Sequence, residues 1–267
     1  MTKGMFRTVY AIAALVLRIA VVGDAGDGSA AVARGIAKVG HIDAIVLTGD
    51  NVYPCGVQSP NDAKWSVLQP LSALGVPIYP VLGNHDHCGK PDAQISVAPP
   101  PTAAIPPNWR FPAREYAVDF PAAQFRFIDT TPYVRELKPA STFVFNRGSW
   151  HVVVGHHPLL SSGYHGYFPR DEHRRMLALL PAMHDVDLYI CGHDHHLELI
   201  DDKPLMLISG AGSDPVPPLL RHRHTRFVSE ERYRGFALLE LTATTMSIQF
   251  YDASGKARST RFMYVRP

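Results

Sequence analysis

The run Cys191-Gly192-His193-Asp194-His195-His196 directly follows the apolar stretch 186–190. Side chains two apart on extended backbone point the same way. His193 and His195 can therefore serve one small volume, and the common use for two neutral imidazoles there is a metal. Alone, the pair reads equally well as a histidine-bearing surface loop. Four further clusters change that balance: Asp24, Asp50 with Tyr53, Asn84 with His85, and His156. Each has a plainer role when taken singly, as a helix cap, a turn, a polar loop or a surface histidine before a proline. Together, each at the end of an apolar run, they point to one site built for metals.

Those runs read as the elements that carry the clusters. Residues 19–22 form a continuous apolar strand ending in Gly23-Asp24. A helix is expected over 28–39 with Asp27 as cap, then a strand over 43–48 ending in Gly49-Asp50-Asn51-Val52-Tyr53. A second helix over 62–74, capped by Asn61, leads to a strand over 77–82 and to Gly83-Asn84-His85-Asp86-His87. This βαβαβ start predicts parallel strands, whose ligands gather at their carboxyl ends. Residues 88–112 read as a long surface loop, and 115–120 with 124–129 as an antiparallel pair turned at Pro121. A crossover from there to the next parallel strand needs a helix, yet Pro132, Pro139 and the β-rich Thr142-Phe143-Val144-Phe145 oppose one, and 131–149 stays unassigned. A strand over 150–154 precedes His156, a loop over 159–169 carries His165, and 171–180 reads as a helix. Short strands over 197–200, 205–208, 235–241, 246–251 and 259–265 suggest antiparallel pairing. The expected class is α/β, with residues 18–267 as one domain of two packed mixed sheets and helices outside.

At 267 residues and 46% hydrophobic content the chain can bury a large core. A net charge of +2 gives no argument for a nucleic-acid or membrane-surface partner. The Arg221-His222-Arg223-His224-Thr225-Arg226 run reads first as a solvated loop, second as a guide for anionic substrates. Residues 1–17 read as an N-terminal extension or a degenerate export signal, since Lys3 and Arg7 precede a short apolar stretch that Arg18 interrupts. No segment approaches the roughly 20 apolar residues of a membrane helix. Cys191 reads as a small core residue; Cys55 and Cys88 each follow a candidate ligand loop, so a disulfide between them is one expectation.

Gly23-Asp24-x-Gly26, Gly49-Asp50-Asn51-x-Tyr53, Gly83-Asn84-His85-Asp86, Val153-x-x-His156 and Gly192-His193-x-His195 resemble the five motif blocks of the purple acid phosphatases, a family of calcineurin-like metallophosphoesterases. Supporting matches are Ser209-Gly210-Ala211-Gly212 and His165 nine residues after His156. The resemblance implies a four-layer α/β/β/α sandwich and two metals. Asp24, Asp50, Tyr53 and His195 would hold a ferric ion; Asp50, Asn84, His156 and His193 would hold divalent iron, zinc or manganese. A phenolate with carboxylates suits Fe(III), and imidazoles with an amide oxygen suit a divalent ion. It implies in-line attack on small phosphate monoesters by a metal-activated hydroxide, with His85 and His165 stabilising the phosphoryl group or protonating the leaving alkoxide, and Asp86 orienting His85. Alternatives are a phosphodiesterase on the same scaffold and a catalytically silent metal-binding protein. The resemblance also favours a periplasmic or secreted location over a cytoplasmic one, and leaves the oligomeric state open. His87, His157 and His196 sit beside ligands and are candidates for contacting substrate. In the small purple phosphatases a helix covers the connection equivalent to 131–149, which is shorter here.

Overall fold

A computed structural model describes residues 16–95, 103–136, 143–166 and 170–266. Among these residues, thirteen strands form two sheets. In the first sheet β1 (Leu17–Val22), β2 (Ala44–Leu47) and β3 (Ile78–Pro80) run parallel. Of the other strands, β4 (Tyr116–Asp119), β5 (Ala123–Phe127), β6 (Trp150–Val154), β7 (Leu188–Cys191), β8 (Leu197–Ile200), β9 (Leu205–Ser209) and β10 (Thr225–Val228) build the second sheet. β11 (Gly235–Leu241), β12 (Thr245–Asp252) and β13 (Phe262–Val265) return to the first sheet, where β11 lies antiparallel to β1. The orders are β13-β12-β11-β1-β2-β3 and β10-β8-β9-β7-β6-β5-β4.

Strand alternation creates three apolar layers. Ile19 and Val21 enter the layer between the sheets, joined from the other side by Val152, Val154, Leu188 and Ile190. Their neighbours Ala20 and Val22 face outward, onto Val32 and Ile36 of helix α1 (Ser29–Lys38). On the far face Val153, Tyr189 and Cys191 pack with Met176 and Leu179 at helix α5 (Arg170–Leu177) and just beyond it. Both faces of each central strand are buried, which is why these strands read as unbroken apolar runs. The result is the four-layer α/β/β/α sandwich.

Several local expectations change. α1 starts at Ser29, behind a 3-10 turn over Gly26–Gly28, and Asp27 makes no capping bond. The helix expected over 62–74 is a 3-10 segment (Ala63–Leu68) and a four-residue α2 (Gln69–Ser72). Pro70 has no amide proton to continue one ladder through both, and Asp62, not Asn61, caps the start by accepting from the Lys64 N–H. The polar loop after β3 is instead the five-residue α3 (Asn84–Cys88). In the unassigned segment, Thr131–Glu136 forms the short helix α4; Pro132 sits in its first turn, where its missing N–H costs nothing. Arg226 is part of β10, not of a free loop, because Phe227 stacks on Phe250 and anchors the strand. No described helix is long and apolar enough to cross a membrane.

Candidate metal centre

The structure brings all seven expected ligand residues to the carboxyl ends of β1, β2, β3, β6 and β7, so the site straddles both sheets. Asp24, Asp50 and His193 each adopt positive φ, at 53°, 49° and 68°. For a non-glycine residue this conformation is strained, and it clusters at functional sites. Here it turns each side chain back over the end of its strand. Two glycines let the loops close up. A Cβ on Gly83 would stand 2.1 Å from Asp50 Oδ1, and one on Gly192 2.4 Å from Asp24 Oδ2.

Two groups of donor atoms result. Tyr53 Oη lies 3.2 Å from Asp24 Oδ1, 3.1 Å from Asp50 Oδ2 and 3.2 Å from His195 Nε2. His156 Nε2 lies 3.1 Å from Asn84 Oδ1, 3.1 Å from His193 Nδ1 and 3.5 Å from Asp50 Oδ2. Asp50 Oδ2 therefore borders both groups. Two carboxylate oxygens, a phenol oxygen and an imidazole nitrogen face one small volume in the first group. Donor atoms about 2.1 Å from one ion stand about 3.0–3.4 Å apart, close to the 3.1–3.5 Å separations in the two groups.

The outer nitrogens of the imidazoles are already committed. His156 Nδ1 donates to the Thr48 carbonyl at 2.8 Å, and His195 Nδ1 to the Asp214 carbonyl at 3.0 Å. His193 is turned the other way: its Nε2 donates to Glu172 Oε1 at 2.8 Å, leaving Nδ1 facing His156. Such partners fix the tautomer of a ligand histidine and raise its basicity. Glu172, from α5, has no signal in the sequence that would have singled it out.

The electrostatics are those of a site awaiting cations. Burial, then Asp24 and Asp50, pushes the Tyr53 phenol far above its ordinary range. Burial alone would lower His156, but Asp50 beside it outweighs this and raises it to about 10. Burial likewise opposes His195, yet its bond to Asp24 raises it to about 9. Burial would raise Asp50, but the His156 charge holds it well below the usual carboxylate range. His193 is kept neutral, first by burial and then by His156.

His85 and His165 flank these groups. His85 Nδ1 donates to the Pro54 carbonyl at 2.6 Å, and its Nε2 stands 3.9 Å from Asp50 Oδ2. The His165 ring lies 3.8 Å, centre to centre, from that of His193, and its Nδ1 has no hydrogen-bond partner. Asp86 does not orient His85, contrary to expectation. It is wholly buried and accepts from the Asn51 and Gly83 amides and from Gln94 Nε2, so it shapes the loop behind Asp50 instead. His157 and His196 are buried against Thr130 and Glu198, and His87 is paired with Asp129, so these three have structural partners. Glu198 is itself fully buried, taking bonds from His196, from the Ser162 amide and from Thr225. Cys55 and Cys88 form a disulfide joining the Tyr53 loop to the end of α3, and Cys191 is free and buried.

Comparison with known proteins gives three findings. The family model described as calcineurin-like phosphoesterase matches residues 17–197. Purple acid phosphatase 17 of Arabidopsis thaliana is 30% identical over 88% of this chain and 81% of its own, and human tartrate-resistant acid phosphatase type 5 is 30% identical over 80% and 77%. Among solved structures, GAP50, the anchor in the inner membrane complex of Plasmodium, superposes with a TM-score of 0.74 at 26% identity, over 94% of this chain and 90% of that one.

Proposed function

Because the chain belongs to the calcineurin-like phosphoesterase family, as a purple acid phosphatase-like member, we propose that it is a two-metal hydrolase of phosphate monoesters. The observation that carries the reading is the pair of donor groups meeting at Asp50 Oδ2. Asp24, Asp50, Tyr53 and His195 would hold Fe(III); Asp50, Asn84, His156 and His193 would hold a divalent iron, zinc or manganese ion, each donor set matching its ion in hardness. When bound, two such cations lower the pKa of a water and neutralise phosphoryl oxygens in an in-line displacement.

The side chains supply the rest. The carbonyls of Thr48 and Asp214 and the Glu172 carboxylate keep three imidazoles in the tautomers the donor groups need. Pro54 holds His85 with Nε2 toward Asp50, where it can donate to a phosphoryl oxygen. His165 lines the pocket with its buried Nδ1 turned to within 3.9 Å of Glu172 Oε1, which leaves Nε2 as the nitrogen to protonate the leaving alkoxide.

Metal analysis with a visible spectrum tests this. The expected result is two metals per chain and a tyrosinate-to-iron absorption band that Tyr53→Phe abolishes. A colourless, fully active dizinc or dimanganese protein would overturn the ferric assignment alone. Fewer than two bound metals with no turnover of phenyl phosphate would overturn the hydrolase itself.

A further inference from the structure

Beside His165 the chain carries an apolar run with no cover among the described residues: Val216, Leu219 and Leu220 are 48%, 55% and 60% exposed. Single exposed apolar residues are ordinary. This run differs because it is tied to the catalytic loops. The Val216 amide donates to the His195 carbonyl at 2.7 Å, and the Leu219 and Leu220 amides donate to the Ser162 carbonyl at 3.0 and 3.2 Å. Ser162 in turn is fixed by the buried Glu198 carboxylate. The apolar wall is therefore held in place relative to the metal centre.

Two cavities meet along it. The first, about 260 Å³, is lined by Tyr164, His165, His195, Val216 and Pro217. The second, about 240 Å³, continues past Pro217 to Leu219, Leu220 and Val228. Its lining also includes Arg221 and Glu230, an exposed pair 3.5 Å apart whose opposite charges offset each other.

We propose that the wall from Val216 to Leu220 is a leaving-group subsite selecting phosphate monoesters of long-chain apolar alcohols. The proposal rests on the monoesterase reading, in which His165 protonates the departing alkoxide and so directs the alcohol into the first cavity. A chain leaving from there has Pro217 as its floor and the two leucines beyond.

A homologous series tests it: ethyl, butyl, hexyl and octyl phosphate, below their micelle concentrations, on the metal-loaded protein. Leaving-group acidity is nearly constant along the series, so a trend reports binding of the chain. kcat/KM is expected to rise by about twofold to fourfold per methylene, the upper figure corresponding to full burial. In the double variant Leu219→Ser, Leu220→Ser the rise should flatten beyond butyl while ethyl phosphate turnover is unchanged. A flat series in the unaltered protein, or a rise that survives in the variant, overturns the subsite while leaving the monoesterase intact. A flat series accompanied by a dimer that the variant splits in sedimentation assigns the wall to a second copy, and equally overturns it. Turnover of phenyl phosphate with none of the alkyl esters overturns the subsite alone, and failure with phenyl phosphate as well overturns the monoesterase reading beneath it.

Discussion

At the scale of residues, the donor set is decided as much by what stands behind each ligand as by the ligand. Glu172 is the clearest case: without its carboxylate, His193 has no partner to hold Nδ1 toward His156. Glu172→Ala is expected to weaken one of the two metals by about 10–100-fold and to leave the tyrosinate band in place, read by metal titration with absorbance. Protons are the second consequence. In the metal-free protein His156 is raised to about 10 and His195 to about 9, both by carboxylates that outweigh burial. Both therefore carry a proton at neutral pH that metal must displace, so uptake releases protons and apparent affinity rises with pH up to about 10. Calorimetry in buffers of different ionisation enthalpy measures the number released; zero at pH 7 would contradict this account. The ligand types and spacings were legible beforehand because strand ends repeat a local pattern. Glu172 as partner of His193 and Asn51 as partner of Asp86 were not, since contacts across 21 and 35 residues leave no periodicity.

Among elements, the loop carrying Tyr53 and the helix α3 carrying Asn84 and His85 are bound together by several links. The Cys55–Cys88 disulfide closes a separation of 33 residues, and the Gly56 amide donates to the His85 carbonyl at 2.9 Å. Removing the crosslink with Cys55→Ser, Cys88→Ser is expected to cost about 3–4 kcal/mol of stability by the loop-closure argument. A denaturant titration reads this, and the variant should also lose metal faster to a chelator. An unchanged midpoint with unchanged metal retention would show that hydrogen bonds alone hold the two loops. Short polar elements were the least legible. Gly83-Asn84-His85-Asp86 looks like a loop until the Asp86 carboxylate is seen taking the Gly83 amide at 2.9 Å, which starts the helix.

Across the whole molecule, the centre lies where the two sheets converge, with Asp24 and Asp50 from one and His156 and His193 from the other. Cations held there would link the layers that the central core also joins. Ligands that bind only the folded state stabilise it by mass action, about 4 kcal/mol when present at 1,000-fold over their dissociation constant. Chelation is therefore expected to lower the thermal midpoint of the whole domain in one transition, without a separate early step, as calorimetry would show. An early, partial transition would mean that the sheets unfold independently. The sequence alone determined the class, the order of the strands that carry chemistry, and the polar clusters from which the seven candidate donors come. Each of those depends on local alternation and on residues within a few positions of a strand end. Which donors meet was left to the resemblance and then to the fold, because packing the sheet of β1 and β2 on that of β6 and β7 brings residues 169 apart into contact, as His193 N–H and Asp24 Oδ2 are at 3.0 Å. The apolar wall beside His165 was also decided only in three dimensions. Its backbone is fixed by carbonyls of two distant loops, and no spacing within Val216-Pro217-Pro218-Leu219-Leu220 records that.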